Sequence, residues 1–486
     1  MDTALSPFWD EAQCVLVQPD GMLVVAGRID GVPAGFDVLV ARFESGGNLD
    51  PNFGNGGFAS LDVPGSARIL DLAIQPDGKL VMVGWVMDLP SLLMDKLVVR
   101  FNSDGTIDSF FGTDGVLILD DGSESDELDG VSIQSDGKIV VVGHGFDVDF
   151  GNNPTFFVGR LNPDGTFDSA FANGTGQFQQ SIQAGSEAND VALMSDGSIV
   201  AAGGCFVLDT LNPWNSYQAG VVVRYMSDGA LDASFGDEGL VLLDGSNEVD
   251  DVLGLDIQPD GKILLTGVTC EGCSTEWSKT QRLHTNGLRD IGFGTMGTVT
   301  HRSGMSPTRG SNVRVDGAGR SLIVGSYRPA VNENYSYLTR LLGDGTSDTA
   351  FGLSGELIYT DLGNGVGTPA LAIQADGKIV LAGHHGQNVF LMRYLNISTG
   401  IVDPAGDVIQ LLGADEFGAV LSSHISAIVQ YHVIDMLGKV VCEGSVLMQP
   451  TDGRRVVFTS SLHRGVYVIV LKIGASRHAQ RFVVPQ

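Results

Sequence analysis

One phrase recurs along most of the chain, and it constrains the fold more than any other feature of the sequence. Residues 74–84 read IQPDGKLVMVG, which is a tight-turn sequence followed by an apolar run. The turn recurs with successive spacings of 57, 59, 60, 64, 58 and 58 residues. Its first residue lies at Asp20, Asp77, Asp136, Asp196, Asp260, Ala318 and Asp376. A period of this length predicts seven copies of one supersecondary unit.

A second phrase follows the first in six of the seven copies. In the second copy, residues 97–112 read LVVRFNSDGTIDSFFG, which indicates a strand, an Asp-Gly turn and a Phe-Gly corner. Each unit is therefore predicted to contain four strands, A to D, and strand B is expected to end at a glycine. One such sheet cannot bury both of its faces, whereas seven arranged radially can.

We therefore predict an all-β fold, a seven-bladed β-propeller of four-stranded repeats of about 58 residues, over residues 1–403. A small Ig-like β-sandwich is expected over residues 404–486. Only six D strands follow Phe-Gly corners, so the seventh must come either from residues 2–8 or from residues 408–412. We favour the N-terminal residues.

The two phrases closely resemble the delta-60 repeat of large bacterial surface and secreted proteins, over residues 12 to about 403. The sixth copy departs most, because it has DGAGR at residues 316–320. The resemblance implies a propeller-like repeat protein. The family carries no established activity that this resemblance could transfer.

The tail resembles the C-terminal sorting domains of type IX secretion. Residues 431–441 (YHVIDMLGKVV), 461–470 (SLHRGVYVIV) and 481–484 (RFVV) carry that resemblance. It implies export by a Bacteroidetes-like bacterium, the secretion machinery as a partner, and a secreted or outer cell-surface location. Residues 1–20 show no signal peptide, so the resemblance leads us to expect either a start upstream of the one shown or a mature form. The alternative is a tail that only caps the propeller.

Charge excludes some classes of partner. The formal net charge is -30, while residues 403–486 carry seven acidic and seven basic residues, so the whole excess lies on the repeats. Nucleic acid is not expected as a partner, because phosphate binding requires clustered Lys and Arg. No apolar stretch has the length of a transmembrane segment.

Paired charges recur inside the repeat. An arginine near the end of strand C is followed eight residues later by an aspartate, and in the seventh copy by Asp403 ten residues later. Because a functional site is not normally copied seven times, we interpret these residues as structural ion pairs. They are Arg42, Arg100, Arg160, Arg224, Arg282, Arg340 and Arg393 with Asp50, Asp108, Asp168, Asp232, Asp290 and Asp348.

Function is expected on the variable face, which carries the loops between strands B and C and between strand D and the next strand A. Candidate ligand-binding residues after strand B are Arg28, Trp85, His144, Trp277, Tyr327, His384 and His385. Candidate metal ligands, with Ca²⁺ as the expected ion, are Asp126, Asp129, Asp190, Asp250 and Asp251. The alternative interpretation of the acidic residues is a solvated surface.

The sequence thus favours a binding or adhesion scaffold for a glycan, a peptide or a surface protein. One alternative is a metal-dependent hydrolase or lactonase that uses Asp129, Asp190, His144 and His384. Another is a purely structural extracellular repeat protein. No catalytic constellation stands out, and an enzyme is the less favoured interpretation.

Overall fold

A computed structural model describes most of the repeat region and the strands of the tail. The described residues are 2–3, 10–30, 35–120, 125–147, 153–208, 217–243, 248–271, 276–301, 307–328, 335–351, 355–359, 370–385, 388–394, 409–415, 418–423, 427–435, 440–448, 454–457, 465–473 and 476–484.

The repeat region forms seven four-stranded antiparallel sheets, the blades, as the sequence predicted. The first strand is β1 (Asp2–Thr3). The strands of blades 1 to 4, innermost first, are β2 Asp10–Val17, β3 Leu23–Asp30, β4 Phe36–Phe43, β5 Phe58–Leu61; β6 Ser66–Ile74, β7 Leu80–Met87, β8 Met94–Phe101, β9 Val116–Leu119; β10 Glu127–Ile133, β11 Ile139–Asp147, β12 Asn153–Leu161, β13 Gln177–Gln180; and β14 Ser186–Leu193, β15 Ile199–Val207, β16 Tyr217–Tyr225, β17 Leu240–Leu243.

The remaining blades follow the same order. The strands of blades 5 to 7 are β18 Glu248–Ile257, β19 Ile263–Glu271, β20 Glu276–Leu283, β21 Thr298–His301; β22 Thr308–Val315, β23 Ser321–Tyr327, β24 Tyr335–Leu341, β25 Glu356–Tyr359; and β26 Ala370–Ile373, β27 Ile379–His385, β28 Asn388–Tyr394. Each innermost strand contacts the innermost strands of both neighbouring blades, and β2 contacts both β6 and β26, which closes the ring.

The tail forms seven strands in two antiparallel sheets, as expected of a small β-sandwich. One sheet has the order β29-β30-β33 and the other β32-β31-β34-β35. The strands are β29 Ile409–Asp415, β30 Gly418–Ser423, β31 Ala427–Asp435, β32 Val440–Met448, β33 Arg454–Val457, β34 Gly465–Ile473 and β35 Ser476–Val484. No helix among the described residues is long and apolar enough to cross a membrane.

The outer strand of blade 7 comes from the N-terminus, which confirms the favoured expectation. Strand β1 pairs with β28, with Asp2 opposite Phe390 and Thr3 opposite Val389. Of the alternative residues 408–412, residues 409–412 lie in β29, which pairs with β30 in the tail, and Val408 lies outside the described residues. The ring is therefore closed by a sheet that contains both ends of the repeat region.

The apolar run of strand B is continuous because each blade is buried on both faces. In blade 2, Leu80, Val81, Met82 and Val83 are all 0% exposed. Leu80 and Met82 pack in the cluster shared with blade 1, whereas Val81 and Val83 pack in the cluster shared with blade 3. Alternation along a strand places successive side chains on opposite faces, so both faces must be apolar here.

The sixth A–B turn has the same backbone as the others despite its different sequence. Gly319 has φ 74°, close to φ 87° at Gly78 in the second copy. The amide of Gly319 donates to the carbonyl of Asp316 (2.9 Å), as the amide of Gly78 donates to that of Gln75 (2.8 Å). The glycine that permits this left-handed conformation is the part of the phrase that the turn requires.

The recurring Arg and Asp side chains form ion pairs within blades 1 to 6. The distance from arginine Nε to aspartate Oδ2 is 2.8 Å in all six pairs. Each guanidinium also lies over the ring of the corner phenylalanine, with its Cζ 4.4–4.8 Å from the ring centroid. In the seventh copy, Asp403 lies outside the described residues.

The same arginines also bond to the next blade, which the sequence did not predict. Nη1 of Arg42 donates to the carbonyl of Ser103 in blade 2 (2.5 Å), and Nη1 of Arg282 donates to that of Gly343 in blade 6 (2.6 Å). Arg393 of blade 7 donates to Ser45 in blade 1, across the closure of the ring. Equivalent bonds join Arg100 to Pro163, Arg160 to Ser227 and Arg224 to Thr285.

We expect Arg160→Met to lower the free energy of unfolding by about 3 kcal/mol. Among the described residues, the variant leaves the buried Asp168 with Lys138 as its one charged partner. Arg328→Met, at an exposed position, should change it by less than about 0.5 kcal/mol. Urea unfolding followed by tryptophan fluorescence measures both. Equal midpoints for the two variants would show that the repeated arginine does not stabilise the blades.

Removal of residues 1–3 should uncover the outer edge of blade 7, because β1 supplies its last pairing partner. Amide hydrogen exchange in β28 should then become faster, while exchange in β16 of blade 4 stays unchanged. Thr3→Ala keeps the backbone and is the matched control. Unchanged exchange in β28 after the deletion would contradict closure by the N-terminus.

Candidate functional site at the channel mouth

A bulge in the innermost strand shapes one end of the central channel. The pairing of strands A and B shifts register in each of blades 1 to 6, for example between Ile69 and Asp71 in blade 2. A β-bulge of this kind bends the strand and redirects its side chains. Equivalent shifts occur at residues 12–14, 128–130, 188–190, 252–254 and 310–312.

The glycine of strand B accommodates this bulge and does not end the strand. A Cβ atom on Gly84 would lie 1.9 Å from the carbonyl oxygen of Arg68 on strand A, which no side chain could tolerate. Strand β7 continues three residues further, to Met87. The expectation that strand B ends at this glycine was therefore wrong, because the glycine marks a close backbone approach.

Directly before the bulge, six blades place a charged residue at the same register position. We call this set the mouth ring. Its neighbours along the ring interact electrostatically, for example Glu127 with Arg68 and Glu187, and Asp251 with Glu187 and Arg309. The mouth ring is Glu11, Arg68, Glu127, Glu187, Asp251 and Arg309.

Four of the predicted ligand-binding residues lie beside this ring. Arg28, Trp85 and His144 each directly follow the strand B glycine and pair with Glu11, Arg68 and Glu127 respectively. His384 follows the equivalent glycine, Gly383, in blade 7 and pairs with Val389. All four lie within strand B and not in a loop after it.

The other three predicted ligand-binding residues lie further from the ring. Trp277 is in strand C of blade 5, opposite Thr269. Tyr327 is the last residue of β23, and its ring centroid lies 6.5 Å from that of Tyr335. His385 is the last residue of β27, opposite Asn388.

Two of the charged groups at the mouth have close ionic partners. Arg28 donates from Nε and Nη2 to the two carboxylate oxygens of Glu11, at 2.9 Å each. His144 Nδ1 lies 3.3 Å from Oδ2 of Asp129. Burial opposes protonation of His144, but the hydrogen bond and charge of Asp129, with the charges of Glu187 and Glu127, raise its pKa to about 9. His144 is therefore a cation at neutral pH.

Two acids of the mouth ring, in blades 3 and 5, lack comparable compensation. Burial raises the pKa of Glu127, and the charge of Asp129 raises it further. Burial, with the charge of Glu187, raises the pKa of Asp251 to about 7, although Arg309 opposes the shift. These shifts show that the charged forms of Glu127 and Asp251 are disfavoured there.

Two basic groups at the mouth are also incompletely satisfied. Burial lowers the pKa of Arg68, as does the charge of Arg28, and its Nε is buried with no hydrogen-bond partner within the described ranges. Burial lowers the pKa of His384, whose Nδ1 likewise has no partner there. Buried polar atoms without partners are rare in folded proteins and mark positions where a ligand or water can bind.

The five predicted metal ligands do not form one cluster among the described residues, although Asp129 and Asp190 line the same cavity. Asp126 pairs with Lys96 (2.6 Å) and Asp250 with Lys279 (2.5 Å). Asp129 pairs with His144, and both Asp190 and Asp251 accept hydrogen bonds from protein groups. Within the part of the chain that the structure describes, no three His, Cys, Asp or Glu side chains are arranged to hold a metal ion.

Most of the mouth ring was missed from the sequence, although a signal for it exists. Each member lies nine residues before the first residue of the A–B turn, for example Arg68 before Asp77. Alignment of the copies at this turn shows a charged residue at that position in six of them. Asp251 was singled out, but as a metal ligand.

Four segments of the propeller match a family model. The family is described as a domain of unknown function (DUF5122) beta-propeller, and it matches residues 18–53, 75–111, 134–171 and 195–235. Each segment runs from the A–B turn of a blade to its Phe corner. No curated protein matches the sequence.

Solved structures match this chain only at low similarity. A protein of unknown function from Dyadobacter fermentans is 12% identical, with a TM-score of 0.38, and the match covers 79% of this chain and 94% of the other. The β-propeller domain of the Trilobed protease from Pyrococcus furiosus is 12% identical, with a TM-score of 0.35 and coverage of 85% and 94%. Similarity at this level carries no functional argument.

We expect stability to fall as the pH rises from about 5 to about 9. The folded pKa values of Asp190 and Asp251 are about 7 against 3.8 for the free side chain, so the folded state binds more protons up to pH 7. His144 contributes stability that is complete below pH 6.5 and is lost as the pH rises through about 9.

Thermal unfolding across this range tests both contributions. Asp190→Asn should flatten the profile below pH 7, and His144→Gln should flatten it between pH 6.5 and 9, each by on the order of 2 kcal/mol. Asp77→Asn, at an exposed turn, is the control. A wild-type profile that rises over this range would contradict the assignment of these groups.

Proposed function

We propose that this protein is a ligand-binding propeller and that the mouth ring is its binding surface. The observation that carries the proposal is that six blades place a charged residue at one position but differ in its sign, with acids in four blades and arginines in two. Burial shifts the pKa values of Glu127, Asp251 and Arg68 against their charged forms. Charge at these positions therefore does not stabilise the propeller. A cluster of charged groups whose pKa values are shifted against their charged forms is typical of a binding site.

The arrangement of signs indicates which ligands suit this surface. Glu127, Glu187 and Asp251 come from three consecutive blades and form an acidic arc. Arg68 and Arg309 lie on either side of that arc, in blades 2 and 6. A peptide or glycan that presents hydrogen-bond donors to the arc and acceptors to the arginines would complement both.

We further propose that the protein acts outside the cell or on the outer cell surface, as a binding or adhesion scaffold. The resemblance of the tail to secretion sorting domains supports export, and its seven strands in two sheets are compatible with such a domain. The partner would then be a glycan, a peptide or another surface protein.

One observation favours hydrolysis as a second candidate. Burial, with the charge of Asp71, raises the pKa of Asp190 to about 7, within the range of a general acid or base. His144 does not suit the role of base, because Asp129 keeps it protonated at neutral pH. A metal-dependent mechanism would need ligands beyond the carboxylates that the described residues bring together.

A binding screen with matched variants tests the proposed surface. The full chain is screened against immobilised glycans and peptides, and each ligand found is titrated against Glu127→Gln/Glu187→Gln. We expect at least about tenfold weaker binding, because each lost charge-assisted hydrogen bond contributes roughly 1.5 kcal/mol. Glu44→Gln, an exposed substitution on the opposite face, should bind as the wild type does. Equal affinity of the double variant and the wild type would show that the ligand binds elsewhere. If no ligand binds, a purely structural role would be favoured.

A further inference from the structure

Beyond the mouth ring, the channel holds a cavity of about 210 Å³. The cavity is lined by the bulge residues and by those that follow them along the innermost strands. All seven blades contribute, so the cavity lies on the axis of the propeller. Its polar lining residues include Gln13, Asp71, Asp129, Asn189, Asp190, Ser311, Asn312 and Arg314.

Two of these groups have hydrogen-bonding capacity that the described residues leave unused. Oδ1 of Asn312 is buried and has no partner there. Arg314 makes one hydrogen bond in the described ranges, from Nη1 to the carbonyl of Val313 (2.8 Å), although a guanidinium has five N–H donors. The cavity thus holds one acceptor and several donors that make no hydrogen bond within the described ranges, although the charge of Arg314 interacts with Asp71, Asp190 and Asp256.

Two carboxylates in the same cavity are held in place by backbone amides. The oxygens of Asp71 accept from Leu72 in the same blade and from Val131 in the next (2.8 and 2.9 Å). Those of Asp190 accept from Val191 and Leu255 (2.7 and 2.8 Å). Each oxygen keeps a second lone pair, so both side chains are oriented and can accept further hydrogen bonds.

The charge of the cavity selects among ligand classes. An anion would be attracted by Arg314 but repelled by Asp71 and Asp190. A metal ion would face the Arg314 charge, and no group of three potential ligands exists among the described residues. Hydroxyl groups can both donate to the carboxylates and Asn312 and accept from Arg314, and they carry no charge.

We propose that the channel cavity binds an uncharged, polyhydroxylated molecule, namely one sugar ring at the end of a glycan. Arg314 donates to its hydroxyl oxygens, and Asn312, Asp71 and Asp190 accept from its hydroxyl groups. Leu70, Leu253 and Leu371 offer apolar contacts for the C–H groups of the ring. A volume of about 210 Å³ is large enough for a single sugar ring.

This inference rests on the proposed function, because it names the part of the ligand that passes the mouth ring. Saturation-transfer NMR and calorimetry of the full chain test it with four neutral monosaccharides: glucose, galactose, mannose and N-acetylglucosamine. Acetate and ethanolamine serve as a small anion and a small cation. The variants are Arg314→Met and Asn312→Leu, with Arg289→Gln on the C–D corner of blade 5 as the matched arginine control, and thermal unfolding verifies that each is folded.

We expect at least one monosaccharide to bind, with about tenfold or greater loss in Arg314→Met and in Asn312→Leu and no loss in Arg289→Gln. Binding of acetate or ethanolamine in place of the sugars would overturn the inference, as would the absence of binding by all four sugars. The mouth variant Glu127→Gln/Glu187→Gln separates the two proposals. If it weakens a peptide or glycan while both channel variants do not, the mouth is the site and the channel inference fails alone.

Discussion

A single guanidinium in each of blades 1 to 5 connects the elements on which the ring depends. In blade 2, Arg100 bonds through Nε to Asp108, lies over the ring of Phe111, and donates through Nη1 to the carbonyl of Pro163 in blade 3. A planar group with five donors can make all these contacts at once, whereas an ammonium group cannot. Because Arg393 makes the same bond to Ser45 of blade 1, the chain of contacts passes through the closure of the ring.

Because the turns and corners at one end hold the blades, the other end is free to differ between repeats. Among the described residues, the bulge is present in blades 1 to 6, and the glycine opposite it allows the close backbone contact. The residue before the bulge is charged in all six, yet it is Glu, Asp or Arg in different blades. A symmetric frame thus supports an asymmetric mouth, which is what recognition of an asymmetric ligand requires.

The sequence was sufficient to predict the blades because their signals are local. A turn phrase such as IQPDGK predicts a hairpin directly, and the continuous apolar run after it predicts a strand buried on both faces. The count of six D strands predicted closure by a distant segment, and β1 confirms the favoured end. The glycine of strand B was wrongly taken as a strand end, because a single sequence does not distinguish a bulge partner from a terminus.

Contacts between repeats could not be predicted from the sequence, because spacing along the chain does not specify which blade a side chain contacts. The pairing of Arg160 with Asp168 follows from an eight-residue spacing, but its bond to Ser227 follows only from the ring geometry. The neighbours within the mouth ring could not be predicted for the same reason. Its members are about sixty residues apart in the sequence and become neighbours only when the blades are arranged around an axis.

The direction of the pKa shifts separates the carboxylates of the frame from those of the channel. At Asp50, Asp108 and Asp168, hydrogen bonds from backbone amides and the charges of the arginines, with Lys79 and Lys138 in blades 2 and 3, outweigh burial and lower the pKa. At Asp190 and Asp251, burial and neighbouring acids outweigh the same kinds of contact, and the pKa rises to about 7. Frame acids are therefore more stable as anions in the folded chain than in water, whereas channel acids are less so. A ligand that donates hydrogen bonds to the channel acids would stabilise their charged forms. Burial disfavours those forms in the folded chain, so binding there would be favourable.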